Sequence, residues 1–112
     1  MVVVGLHGPM SDEVSYCMVE CHRFLPVDFE PGVRRTMNEI RKWVSKDYDV
    51  VVSGMSTFRE SKALRCVFAG VIFECGKDSS SEPDIIPDYV IGMSLRNHEI
   101  YPRVIQILED LW

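Results

Sequence analysis

Long apolar runs are absent from this sequence of 112 residues, and none of its stretches approaches the roughly 20 residues that a membrane-spanning helix needs. Positive charge is also scarce, since 12 basic residues stand against 17 acidic ones and the net charge is −5. Binding along a nucleic-acid backbone depends on clustered Lys and Arg. A secretory signal has basic residues before its apolar region, but no basic residue precedes the apolar residues 2–6. We therefore expect an intracellular protein with no membrane or direct nucleic-acid partner.

Glycine-rich loops and catalytic motifs are missing as well. The opening "MVVVGLHGPMSDE" predicts a strand, a turn and a helix, but it holds only Gly5 and Gly8, and Pro9 lacks the N–H that a phosphate cradle would use. His7 and His98 lie near no nucleophile motif, and "SGMS" is not the Gly-x-Ser-x-Gly elbow of hydrolases. We predict a structural turn, no catalytic residue and no cofactor. A small α/β nucleotide-processing enzyme is the alternative, because deoxyribosyltransferase-like enzymes also open with a strand and a Gly-Pro turn.

No Cys-x-x-Cys knuckle is present among the four cysteines, which are Cys17, Cys21, Cys66 and Cys75. Zinc sites gather their ligands around one point. Cys17 and Cys21 are one helical turn apart, and His22 points roughly 100° away from Cys21. Free cysteine packs in protein cores as a small apolar side chain. We therefore predict reduced core thiols and no metal ion.

Hydrophobic periodicity predicts one domain over residues 1–112. The first half of the chain is predicted to form a strand at 2–6, a helix from Ser11 or Asp12 to Pro26, a helix from Val33 and a strand at 50–52. The second half is predicted to form a strand at 63–75, a polar loop at 76–84, a strand at 88–95 and a last helix that Asn97 caps, with Pro102 in its first turn. Three consecutive strands with short links favour hairpins over parallel crossovers. The order β-α-α-β-β-β-α therefore predicts an α+β fold, with a mainly antiparallel sheet of about four strands and helices packed on one face.

Two helices offer candidate interaction surfaces. In the last helix, Tyr101, Ile105 and Trp112 lie outside the apolar stripe that would dock on the sheet, so we expect them to form a homodimer interface. The alternative is that Trp112 folds back onto its own domain and fills a gap beside Trp43. In the second helix, the basic residues Arg34, Arg35 and Arg41 are typical of a solvated face, with a partner-binding patch as the alternative. The serines at 79–81 precede acidic residues, a pattern found both in solvated loops and in sites of acid-directed kinases.

Two segments resemble the fourth-early-region regulatory proteins of adenoviruses. The segment "DVVVSGMSTFRESKALRC" is similar to part of the large product of open reading frame six, through Asp49, Ser53, Met55, Glu60, Ser61, Ala63, Leu64 and Cys66. The segment "FEPGVRRTMNEIRKWVSKDY" is similar to a helix of the open-reading-frame-four product, through Glu30, Pro31, Arg34, Arg41, Trp43 and Tyr48. The open-reading-frame-three product is similar in length. Together these segments cover about half of the chain.

This resemblance implies a non-enzymatic viral regulator in the host nucleus. Members of the family bind host regulatory proteins and redirect or sequester them, and the short member assembles into a scaffold. Two family features are missing. Trp43 stands where an elongin-binding box would have cysteine, and "SGMSTFRES" replaces the arginine-rich tract of the phosphatase-binding member. We therefore expect action through protein–protein interaction and self-association, as a homodimer or a higher oligomer.

Overall fold

The computed structural model describes residues 2–29, 32–55, 57–76, 85–91 and 97–111, with only the backbone of Asn97, His98 and Tyr101. Strands and helices alternate along most of the chain. In order they are β1 (Val3–His7), α1 (Ser11–His22), β2 (Leu25–Asp28), α2 (Val33–Val44), β3 (Val50–Ser53), α3 (Phe58–Phe68), β4 (Val71–Cys75), β5 (Tyr89–Ile91) and α4 (Asn97–Leu111).

The five strands form one sheet in the order β2-β3-β1-β4-β5, with β1 at its centre. Every pairing is parallel, for example Val4 with Val51 on β3 and with Val71 on β4. The predicted antiparallel sheet of about four strands is therefore wrong. Its predicted element order is also wrong, because it lacked both β2 and α3.

Helices cover both faces of the sheet, which corrects the prediction of helices on one face. On the first face, α1 and α4 bury Val14, Met18, Val104 and Ile107 against Val4, Leu6, Phe73 and Ile91. On the second face, α2 and α3 bury Met37, Ile40 and Leu64 against Val50, Val52 and Ile72. A parallel sheet needs both faces covered, and its strands are accordingly near-continuous apolar runs. Burial is complete at the centre, where all five residues of β1 are buried.

The missed helix α3 explains much of the incorrect topology. Residues 63–75 were predicted as one strand because of their Val, Ile and Phe content, whereas α3 ends at Phe68 and β4 begins only at Val71. The helix starts at a capping box in which Thr57 accepts from the Glu60 N–H and the Glu60 carboxylate accepts from the Thr57 N–H. After the helix ends, Gly70 passes close to Leu64, and a Cβ atom added to Gly70 would lie 3.1 Å from the Leu64 Cβ.

The missed strand β2 follows directly after α1. Pro26 was predicted only to end a helix that included Leu25, but α1 ends at His22 and Arg23 adopts the left-handed conformation. Leu25–Asp28 then pairs with β3 at the sheet edge, where a strand tolerates proline because one side needs no ladder bond. Between β4 and β5, the buried Ile85 packs on the second face.

Several local predictions are confirmed. The strands at β1 and β3, the helix from Val33 and the last helix from Asn97 are present. Ser11 and Asn97 are the first residues of α1 and α4 rather than their caps, and Pro102 lies in the second turn of α4 rather than the first. The predicted strand at 88–95 is described only as Tyr89–Ile91, and the predicted polar loop lies mostly outside the described residues. None of the described helices has the length and apolar character needed to span a membrane.

Candidate functional site

The carboxyl edge of the sheet has a topological switch point at β1. The chain leaves β1 towards α1 on the first face, whereas it leaves the neighbouring strands β3 and β4 towards the second face. Connections that diverge in this way open a crevice where ligands bind in doubly wound proteins. The residues at this edge are His7 at the end of β1 and Gly8 after it, Ser53 at the end of β3 and Gly54 after it, and Gly76 after β4.

The turn after β1 is bonded to β4. The Met10 N–H donates to the Cys75 carbonyl at 2.9 Å, and the Ser11 N–H and hydroxyl both donate to the Gly8 carbonyl, at 3.2 and 2.7 Å. Gly8 has φ +106°, and a Cβ there would lie 2.5 Å from the Cys75 oxygen. Pro9 offers no donor, and Asp12 and Glu13 occupy the first turn of α1. The turn thus joins β1 to β4 and presents negative charge where a phosphate cradle would need N–H donors.

His7 and Glu74 are neighbours at this edge, a pairing that sequence inspection missed. They are register partners on β1 and β4, and the alternation with buried Leu6 and Phe73 places both side chains on the second face. His7 is 4% exposed and Glu74 is half-buried. An imidazole beside a carboxylate can exchange protons, which is the arrangement a general acid–base pair requires. No spacing in the sequence joins residues 7 and 74, so only the strand order could have revealed them.

The sheet separates the four thiols. Cys17 and Cys75 are buried on the first face and Cys21 lies exposed on α1, whereas Cys66 is exposed on α3 across the sheet. Burial raises the pKa of Cys17 and of Cys75 to about 12, so both are neutral thiols at physiological pH. The prediction of core thiols is correct for these two and wrong for Cys21 and Cys66. Among the described residues, no group of three or more His, Cys, Asp or Glu side chains could hold a metal ion.

Helix α2 concentrates positive charge on its exposed side. Residues 33–46 contain five basic residues and one acidic residue, whereas the rest of the chain has seven basic and sixteen acidic residues. All five basic side chains are exposed: Arg34, Arg35, Arg41, Lys42 and Lys46. We call this set the basic face. The buried side of the same helix, with Thr36, Met37 and Ile40, holds it against the sheet.

Trp43 lies at the margin of the basic face. The Lys42 Nζ is 5.0 Å and the Lys46 Nζ 5.4 Å from the centre of its ring, and Tyr48 packs edge-on at 5.8 Å. The cation–π contacts gather two ammonium groups around one half-buried indole. Helical geometry places Trp43 between these lysines and Val44, which faces α3. Tryptophan is enriched at protein-interaction surfaces and among the residues that contribute most binding energy there.

A pocket lies between the carboxyl ends of α2 and α3, where it is lined by Val44, the residue after Trp43. It has a volume of about 390 Å³ and is lined by Val3, Val44, Arg65, Cys66, Val67, Phe68 and Ala69. Arg65 also binds the crossover segment, with its guanidinium 3.2 Å from the Asp88 carboxylate and donating to the Ile86 carbonyl. The pocket is therefore mainly apolar, with one cation that already has a carboxylate partner.

The structure describes only part of the predicted α4 interface. Ile105 is 39% exposed, as the prediction requires, while Trp112 and the side chain of Tyr101 lie outside the described residues. Arg34, Arg35 and Arg41 lie on α2, which packs on the other face of the sheet from α4. The predicted residues thus form two separate surfaces.

Comparison with protein-family models, with curated proteins and with solved structures gave no match. The residues that carry the resemblance to the adenovirus proteins have mainly structural positions. Met55, Ser61 and Leu64 are buried, Glu60 belongs to the α3 capping box, and Asp49 accepts a hydrogen bond from the Val2 N–H at 2.8 Å. These residues support the β3–α3 unit of the fold, whereas Arg34, Arg41 and Trp43 of the second segment lie on α2.

Proposed function

We propose that this protein is a non-enzymatic regulatory protein that binds an acidic region of a partner protein through the basic face of α2. The observation that carries the proposal is the charge distribution. A chain with a net charge of −5 places four exposed cations and a half-buried indole on α2, with a fifth cation, Lys46, in the turn that follows. Complementary charge steers association and selects partners, and Trp and Arg are the residues most often responsible for binding energy.

A direct test is the fluorescence anisotropy of a labelled decaglutamate peptide mixed with the protein. The variant Arg34→Glu/Arg35→Glu/Arg41→Glu reverses three charges of the basic face. The control Arg59→Glu/Lys62→Glu/Arg103→Glu changes the net charge equally on α3 and α4. We expect at least about tenfold weaker binding for the first variant and a change within roughly twofold for the second. Equal weakening by both variants, or no binding by the unaltered protein, would contradict the proposal.

We further propose that the protein self-associates, most simply as a homodimer, through α4. Ile105 is exposed, whereas Ile100, Val104, Ile107 and Leu108 of the same helix are buried. A two-fold symmetric contact is the commonest way for a small domain to cover such a residue. The two surfaces lie on opposite faces of the molecule, so a dimer formed through α4 leaves both copies of α2 accessible.

The viral setting rests on the resemblance alone. If this chain shares the role of the adenovirus early regulators, its partners are host regulatory proteins and it acts in the host nucleus. Immunofluorescence of the epitope-tagged protein in transfected cells tests this placement. Nuclear accumulation is expected, and uniform cytoplasmic staining would count against it.

A nucleotide-processing enzyme is a second candidate, because the parallel sheet places His7 and Glu74 beside a switch-point crevice. The bonded turn after β1 and its two carboxylates argue against it. Isothermal calorimetry with nucleoside mono- and triphosphates should accordingly give no binding heat. Micromolar binding that is lost in the variant Glu74→Gln would favour the enzyme.

A further inference from the structure

We propose that the pocket between α2 and α3 receives an apolar side chain of the partner, whose flanking acidic residues contact Lys42 and Lys46. The partner segment is therefore a short acidic peptide with one or two apolar anchor residues. This inference rests on the proposed function and adds to it a defined binding site and a composition for the ligand.

The dimensions of the pocket suit a side chain. Ligand pockets occupy roughly 300–1,000 Å³, so a pocket of about 390 Å³ is near the lower limit and has room for one or two apolar side chains. Val67 is 46% exposed at its rim, and Phe68 is half-buried. Grooves between helices bind the anchor residues of amphipathic peptides through apolar surface on both sides of the opening.

The electrostatics of the pocket select a neutral anchor with acidic neighbours. The carboxyl ends of α2 and α3 meet there, and helix carboxyl ends carry partial negative charge. The last turn of α3 is closed by the Ala69 and Gly70 N–H groups, which donate to the Arg65 and Leu64 carbonyls at 3.1 and 3.0 Å. A carboxylate inside the pocket would meet this negative end. One placed across Trp43 would meet the ammonium groups of Lys42 and Lys46 instead.

The test starts from a library of random peptides displayed on phage and selected on the intact protein. We expect the selected peptides to combine several Asp or Glu residues with one or two large apolar residues. A synthetic peptide from the selection is then titrated against two variants. Val67→Glu places a charge at the pocket rim, and Tyr16→Glu places one at a similarly exposed helical site on the first face. Binding should weaken at least about tenfold for Val67→Glu and stay within roughly twofold for Tyr16→Glu.

Cys66 supplies an independent readout, because its exposed thiol lines the pocket. In a Cys21→Ser background, the selected peptide should slow the alkylation of Cys66 by iodoacetamide. The inference would be overturned if the selection gave no peptides, or only peptides without acidic or apolar residues. It would also be overturned if Val67→Glu left binding unchanged and the peptide left the alkylation of Cys66 unchanged. Self-association that is lost in Val67→Glu would also overturn it, because a second copy would then be the occupant.

These outcomes separate the inference from the function on which it rests. If reversing the charges of Arg34, Arg35 and Arg41 abolishes decaglutamate binding but Val67→Glu leaves peptide binding unchanged, the basic face binds the partner and the pocket does not. If neither change alters any binding, both proposals fail.

Discussion

At the scale of single residues, Gly8 shows how a functional-looking position serves the fold. A glycine after the first strand is a common feature of nucleotide-binding proteins, and the sequence alone leaves that possibility open. In the structure, positive φ and the close Cys75 carbonyl both require glycine, and the neighbouring N–H groups are bonded within the protein. The residue therefore joins two central strands.

Replacement of Gly8 by alanine should destabilise the protein. The new Cβ would lie 2.5 Å from the Cys75 oxygen at a φ of +106°, and we expect a loss of roughly 1–3 kcal/mol or more in the free energy of unfolding. Urea denaturation measures this loss. Gly32→Ala is the matched control, because Gly32 has φ +116° and no atom of the described residues beyond its chain neighbours lies within 4 Å of its Cβ position. Equal losses for both variants would show that the contact with β4 is unimportant.

The two buried thiols predict a dependence of stability on alkaline pH. Burial raises the pKa of Cys75 from 9.0 to about 12 in the folded protein. The unfolded chain therefore loses this proton at a lower pH than the folded chain, so the free energy of unfolding should fall as the pH rises from 9 to 12. In Cys75→Ala the fall should be smaller, as measured by urea denaturation across that range. An identical pH profile for both proteins would contradict the assignment.

At the scale of elements, the sequence supports some predictions much better than others. Strands β1 and β3 are short β-branched runs, and α2 has a clear apolar stripe, so all three were predictable. Helix α3 was missed although Thr57 and Glu60 form a capping box that is visible in "TFRE". Its Val67 and Phe68 run on towards the apolar β4, so periodicity alone could not separate helix from strand. With α3 and β2 recognised, alternating strands and helices would have predicted a parallel sheet.

The cap of α3 is open to a direct test. Thr57→Ala removes the acceptor for the Glu60 N–H, bonded at 3.2 Å, and should lower the free energy of unfolding by about 1 kcal/mol. Ser45→Ala is the control, since its exposed hydroxyl donates to the Lys42 carbonyl at the end of α2. We expect a clearly smaller effect there in the same urea titration. If Thr57→Ala is no more destabilising than Ser45→Ala, the capping box contributes little.

At the scale of the whole molecule, the candidate sites depend on packing that no local pattern encodes. The basic face was visible in the sequence because its residues lie close together in the chain, on α2 and in the turn that follows it. The pocket was not, because it forms only where Val44 of α2 meets residues 65–69 of α3. His7 and Glu74 likewise become neighbours only through the order of the strands.

Self-association is a property of the whole molecule and follows from the exposed Ile105. Sedimentation velocity at micromolar concentration should show a homodimer for the unaltered protein. Ile105→Asp should shift it towards monomer, since a carboxylate would be buried in the apolar contact. Glu109→Gln, at an exposed position further along α4, is the control and should leave the dimer intact. A monomeric unaltered protein would refute the prediction, and a dimer insensitive to Ile105→Asp would place the interface elsewhere.

The central claim is that the molecule works through the basic face of α2 rather than through the crevice at β1. The most direct measurement is the change in backbone amide ¹H–¹⁵N chemical shifts when decaglutamate and, separately, nucleoside monophosphates are added. The account predicts that decaglutamate shifts the amides of Val33–Val44 and that the nucleotides shift none. Shifts by nucleotides at His7, Gly8 and Ser53, with α2 unchanged by decaglutamate, would contradict it.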